Sequence, residues 1–253
     1  MILGNKKTVE KILQFLQDDI PFTFLRYGDG DFISMYPHMK NKIVGSNNRS
    51  YITSDIQSKL IESYSVDREN YMIGTLEDIR HERSMVRNVD FSIIKKLPIK
   101  HPKTLYSAIA LQELFLEEPE TFLILSQFLN QKRTVYVNHY YEPVLNKFLG
   151  KIVGHIKVPQ FNSCGEYKSI LNTINKIERN NFDQIILSAG QLSRVLGKDL
   201  YESFPDKTII DIGSVSDKLI VGTPSFSSIS KRGHIKNNME LIINNLKYLQ
   251  SNL

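Results

Sequence analysis

Arg26-Tyr27-Gly28-Asp29-Gly30-Asp31 holds the densest local chemistry in the 253-residue chain. Two carboxylates, Asp29 and Asp31, flank a glycine shortly after Phe22-Thr23-Phe24-Leu25. That apolar run reads as a short strand, and in an open α/β sheet ligands bind beyond the carboxyl ends of strands. Asp-x-Asp at such a place offers hard oxygen ligands to a divalent cation, which can bridge them to a diphosphate. Arg26 can add a charge-assisted contact, and Gly28 and Gly30 let a phosphate approach the backbone closely. The same residues also suit a plain polar turn. An EF-hand is a poor fit: counted from Asp29, the place of the bidentate Glu holds Lys40. No Gly-Lys-Ser/Thr follows a glycine-rich turn, so a Walker loop is absent. A dinucleotide fingerprint fails because Ile33 stands where its third glycine belongs.

A second feature is Ser188-Ala189-Gly190-Gln191, between the apolar run Gln184–Leu187 and a helical pattern. Small residues there place backbone N–H groups at a helix N-terminus, which suits an anion. Tight strand–helix packing is the other reading. A third is Asp211-Ile212-Gly213-Ser214, again at a strand end, where Asp211 can bind a sugar, support the site or cap a turn. The six histidines show no His-x-x-x-His or His-Glu-x-x-His spacing, which disfavours a zinc hydrolase. His139 follows a predicted strand and is the best placed of them for a site, although a surface position is the plainer reading. Cys164 has no recognisable base, and no Gly-x-Ser-x-Gly elbow exists. Tyr140-Tyr141 can stack on a base or sugar, or simply edge the core.

These motifs need a scaffold. Helical spacing is expected over residues 6–17, 55–65, 104–116, 119–129, 142–149, 167–180, 192–203 and 239–249. Strands are expected at 22–26, 71–75, 134–137, 152–158, 184–188 and 208–212. The alternation predicts one α/β domain over 1–253 with a mainly parallel sheet. Residues 214–235, rich in Ser, Gly and Lys, read as a flexible loop over the site.

Composition narrows the class. A single cysteine rules out an internal disulfide and a cysteine-based zinc or iron–sulfur site within the chain. It points to a reducing compartment. Thirty-two basic against 27 acidic residues leave a net charge of +5, spread without a long run. That pattern argues against nucleic acid as a partner and suits a small anion such as a nucleotide. The N-terminus does not read as a signal peptide, and no apolar run approaches a membrane span. A cytoplasmic protein is expected, with attachment to a membrane surface through a partner left open.

Phe24–Phe32 is similar to the N-terminal Arg-Phe-Gly-Asp-Gly-Glu signature of the GT-D glycosyltransferase fold, a family long described as a domain of unknown function. Ile185–Leu200 looks like its second signature, and Ile209-Ile210-Asp211-Ile212-Gly213 looks like its closing Ala-Ile-Asp-Ile-Gly strand. The three occur in order over about residues 20 to 217. The resemblance implies a Rossmann-like fold. It also implies metal-dependent transfer of a hexose from a nucleotide sugar, typically UDP-glucose, to a glycan acceptor. That acceptor would belong to a surface polysaccharide or to a glycosylated protein or lipid.

Under this reading the metal, Mn2+ or Mg2+, maps onto Asp29 and Asp31, with Asp31 acting in catalysis. The cation would stabilise the leaving diphosphate as a Lewis acid. Arg26, Gly28, Gly30, Ser188, Gly190 and Gln191 would bind the donor. A base for the acceptor hydroxyl is expected among Glu77 and Asp78, after the strand at 71–75, with Asp211 next. Asp31 is one methylene shorter than the family's Glu, and Ser214 replaces a usual His, with Asp217 nearby. Two rival readings use the same residues: a metal-dependent phosphoesterase or nucleotide-sugar hydrolase, and a non-catalytic sugar-binding module.

Overall fold

Apolar runs without alternation call for burial on both faces of a sheet. Gln184-Ile185-Ile186-Leu187 is the clearest such run, and all four of its residues are buried. The computed structural model describes residues 2–36, 53–75, 97–228, 230 and 232–253, without the side chains of Asp29, Ser228 and His234. Its strands are β1 (Thr23–Arg26), β2 (Tyr71–Thr75), β3 (Tyr106–Ser107), β4 (Arg133–Asn138), β5 (Lys151–Lys157), β6 (Gln184–Leu187) and β7 (Thr208–Asp211). They form one seven-stranded sheet in the order β3-β2-β1-β7-β6-β4-β5. Every pairing within it is parallel.

Successive side chains of a strand point to opposite faces. Leu25, Ile73, Val135, Ile185 and Leu187 therefore pack against α3 (Ser54–Tyr64), α7 (Tyr167–Asn175) and α8 (Leu192–Ser203). Phe24, Met72, Tyr136, Ile186 and Ile210 face the other way. There they meet α1 (Asn5–Gln17), α4 (Ala110–Glu117), α5 (Pro119–Asn130), α6 (Asn146–Leu149) and, at the end of the chain, α11 (Met239–Asn252). Local chemistry starts several helices where the residues allow. Thr53 Oγ1 accepts the Ile56 N–H ahead of α3. Pro119 opens α5, where its missing N–H costs nothing.

The α/β, Rossmann-like arrangement with a parallel sheet is as expected, but several local readings are corrected. Tyr106-Ser107 is a short strand on β2, and the helix begins only at Ala110. Pairing with an open sheet edge outweighs helical periodicity there. The segment 142–149 splits into a 3-10 turn, Pro143–Leu145, followed by α6. The helix from Tyr167 stops at Asn175. Residues 214–235 are largely ordered into helical turns: α9 (Val215–Leu219), a 3-10 turn at Pro224–Ser228 and α10 (Gly233–Lys236). All five residues of α9 are buried, so apolar packing of Val215 and Leu219 wins over the polar composition. A further short helix, α2 (Asp29–Met35), starts inside the Gly-Asp-Gly-Asp motif. Among the described residues no helix is long and apolar enough to cross a membrane.

Gly197 lets α8 lie close on β1. A Cβ there would overlap Leu25 Cδ1 and stand 2.9 Å from Ser63 Oγ, which is itself 2.7 Å from Tyr71 Oη. Helix propensity favours alanine over glycine by about 1 kcal/mol, whereas overpacking costs about 1–3 kcal/mol. Gly197→Ala is therefore expected to be net destabilising, by up to about 2 kcal/mol in urea unfolding. A more stable variant would show that the contact relaxes freely.

Candidate active site

The chain leaves β1 towards β2, while β7 reaches the other side of β1 by way of β6. Such a divergence opens a crevice at the carboxyl ends of the strands. A cleft of about 830 Å³ lies there. Arg26, Gly28, Ser188, Gly190, Gln191 and Asp211, far apart in sequence, all line it. Gly30 and Asp31 adjoin it through Gln191, whose Nε2 lies 3.5 Å from Gly30 O and 3.4 Å from Asp31 Oδ1.

Arg26 ends β1 and fastens two neighbouring loops. Its Nε donates to Ala108 O, and its Nη1 donates to Ile212 O at 2.8 Å. Burial lowers its pKa; Asp211 opposes that and Arg194 adds to it. Gly213 makes room for the guanidinium: its φ of +51° suits glycine, and a Cβ would collide with Arg26 Nη1.

Asp31 is the third residue of α2 and reaches back to the Gly28 N–H at 2.8 Å, half of a capping box. The same oxygen, Oδ2, accepts from Arg194 Nε at 3.1 Å and Nη2 at 2.9 Å. Arg194 also donates from Nη1 to Asp211 Oδ2 at 2.9 Å and to Gly190 O. Asp211 Oδ1 accepts the Gly213 N–H at 3.0 Å. Arg194 thus ties together the turns that follow β1, β6 and β7. Burial works against its charge, but Asp31 and Asp211 more than reverse this and raise its pKa. Burial raises the pKa of Asp211, against the pull of Arg194 and Arg26.

This changes the parts given to several residues. Asp211, expected as a possible base, is fully buried with both oxygens engaged, and serves as an anchor. Asp31 is 2% exposed, and Arg194 occupies one of its oxygens. Ser188 ties two turns together, donating to Gly213 O at 2.9 Å and lying 2.7 Å from Ser216 Oγ. Tyr140, a candidate stacking ring, is buried, and its hydroxyl donates to Asp217 Oδ1 at 2.9 Å. Cys164 is buried, which pushes its thiol up to about 12 and disfavours the thiolate that a nucleophile needs. Asp78, with Glu77, lies outside the described residues, as does the side chain of Asp29.

Neither the Gly190 nor the Gln191 N–H has a hydrogen-bond partner among the described residues, and both residues line the cleft at the start of α8. Arg194 itself was missed as a site residue. It sits in the first turn of α8, where a cation opposes the helix dipole, and that misplacement was the available signal. On another part of the wall Arg232 Nη1 contacts Asp217 Oδ2 at 2.5 Å.

Comparison with known proteins follows the same line. The fold is similar to a solved structure described as a new glycosyltransferase (DUF1792) from Streptococcus sanguinis. The TM-score is 0.66 at 16% identity over 85% of this chain and 82% of that one. Another similar structure is described as showing that the highly conserved domain of unknown function 1792 has a distinct glycosyltransferase fold. There the TM-score is 0.61 at 16% identity, over 85% and 79% of the two chains. A selenomethionine-substituted structure of domain of unknown function 1792 matches with the same values. No curated protein matches the chain. The model of the GT-D fold-like domain matches residues 3–219, and the chain belongs to this GT-D-like family.

Proposed function

We propose that the protein is a glycosyltransferase that moves a hexose, glucose in the first instance, from a UDP-sugar to a glycan acceptor of a surface polysaccharide or glycoprotein. The observation that carries this reading is a cleft, in a GT-D-like chain, lined by Arg26, the Gly28 turn, Gly190 and Gln191 together. A diphosphate needs those features: backbone N–H donors at a helix N-terminus, with cationic side chains beside them. Negative charge grows on the leaving diphosphate during transfer, and donors fixed in advance lower that barrier. The solved glycosyltransferase with this fold supports the same reading.

The proposed reading includes a divalent cation. Asp31 Oδ1 is a hard oxygen with one long contact, from Gln191 Nε2 at 3.4 Å, while Arg194 holds the other oxygen. Asp31 would hold Mn2+ or Mg2+ together with Asp29, two residues earlier at the start of α2. A bound cation would supply Lewis-acid neutralisation of the diphosphate. Arg194 fixes the Asp31 carboxylate, and Gly213 makes room for the Arg26 guanidinium.

Calorimetry against UDP-glucose and UDP, with Mn2+ and with EDTA, tests the reading. The expected result is a Kd of about 1–100 μM with metal, weakened about tenfold or more by EDTA and by Asp29→Asn. Folded protein that binds no nucleotide in either condition would remove the basis for the assignment.

A further inference from the structure

We infer that His139 is the base that takes the proton from the acceptor hydroxyl, an assignment that rests on the transferase reading above. Asn138 ends β4 and is fully buried. Its Oδ1 accepts the backbone N–H of His139 at 2.7 Å, while its Nδ2 donates to Tyr136 Oη. An amide N–H can only donate, so the atom facing it is the oxygen, and the Asn138 side chain has one orientation. That same oxygen lies 2.8 Å from His139 Nδ1. Nδ1 must therefore carry a hydrogen, and in the neutral ring the lone pair falls on Nε2.

Nε2 is buried and has no hydrogen-bond partner among the described residues. Protein structures rarely leave a buried acceptor without a partner, and functional sites are where exceptions gather. Burial lowers the pKa of the ring. Arg232 lowers it further, Asp217 opposes, and His155 and Lys157 add smaller pushes downward. The ring is thus neutral at pH 7 with its tautomer set by a neighbour, the state a base needs.

His139 lines the same cleft as Arg26, Gly190 and Arg194. Among the described residues the carboxylates lining that cleft are otherwise engaged: Asp211 by Arg194, and Asp217 by Tyr140 and Arg232. In the step proposed, the acceptor oxygen bonds to the anomeric carbon. The bond from that carbon to the diphosphate oxygen breaks, and its electron pair leaves with the diphosphate. The hydroxyl proton passes to His139 Nε2.

The test combines three measurements on the full chain. Nitrogen NMR of histidine-labelled protein at pH 7 reads the tautomer. Calorimetry with UDP reads binding. Turnover of UDP-glucose with water or methyl glucoside as acceptor reads chemistry in the wild type, His139→Gln and His139→Ala. The expected results are a neutral Nδ1–H ring and UDP affinity within about twofold in both variants. Turnover should fall about 100- to 10,000-fold. The wild-type rate should drop as acid protonates the ring, and the variants should lose that limb. A charged ring or an Nε2–H tautomer at pH 7 overturns the assignment. So does a variant that binds UDP and keeps the wild-type rate and pH profile. Wild-type protein that is folded but neither binds UDP nor turns over UDP-glucose overturns the transferase reading, and the base with it. Nucleotide binding with an unaffected variant overturns the base alone.

Discussion

Arg194→Met is expected to lower stability by about 3–5 kcal/mol, the usual cost of removing one partner from a buried ion pair. Asp31 and Asp211 are 2% and 0% exposed, and in the variant both would face each other's charge without the guanidinium between them. Methionine keeps much of the side-chain volume, so the loss reports charge and hydrogen bonding more than a cavity. Urea unfolding midpoints measure it, with the Asp31→Asn and Asp31→Asn/Arg194→Met proteins completing a double-mutant cycle. The double variant should recover part of the loss, since one orphaned carboxylate is then neutral. A single variant within about 0.5 kcal/mol of wild type would show that Arg194 does not hold the three turns together.

Lys218→Met should act in the opposite direction. Lys218 lies in the buried helix α9 and is 0% exposed, with its ammonium donating to Ser214 O at 3.3 Å. Burial lowers its pKa from 10.5 to about 8; Arg26 adds to this, while Asp217 and Glu113 oppose it. At about 1.4 kcal/mol for each pKa step, holding this cation inside the fold costs about 3 kcal/mol below pH 8. The sign follows from proton counts. Below pH 8 both states are protonated and the full cost applies. Between pH 8 and 10.5 the folded protein releases the proton while the unfolded chain keeps it, so the cost fades as pH rises. Methionine fills similar space without a charge. Thermal or urea unfolding of both proteins at pH 7 and pH 10 checks this: Lys218→Met is the more stable at pH 7, by about 2–3 kcal/mol, and the gap narrows at pH 10. A gap that stays constant with pH would show that the buried charge is not its origin.

Hydrophobic periodicity and turn chemistry are local properties, and what depends on them alone was legible in the chain. Val9, Ile12 and Leu16 recur at helical spacing and are buried on α1. Ile185-Ile186-Leu187 is apolar without alternation and sits inside the sheet, covered on both faces. Arg26 and Asp211 end strands, Gly28, Ser188, Gly190 and Gln191 lie just after them, and a parallel sheet puts all its strand ends on one side. That is why the sequence alone located them at one cleft.

Pairing between distant segments was not legible, because no local pattern encodes a partner. Strand β7 sits between β1 and β6, an order that depends on crossovers and packing across the whole sheet. Asp31 and Arg194 are 163 residues apart, and only the fold turns one expected acid into half of an ion pair. Residues 214–235 look like a loop by composition, yet the chain buries α9 because Val215 and Leu219 find an apolar neighbourhood in space. His139 stood out in the sequence only by its place after a strand. Its protonation state depends on which way Asn138 points, and that is set by Tyr136 and by the His139 N–H within the folded strand end.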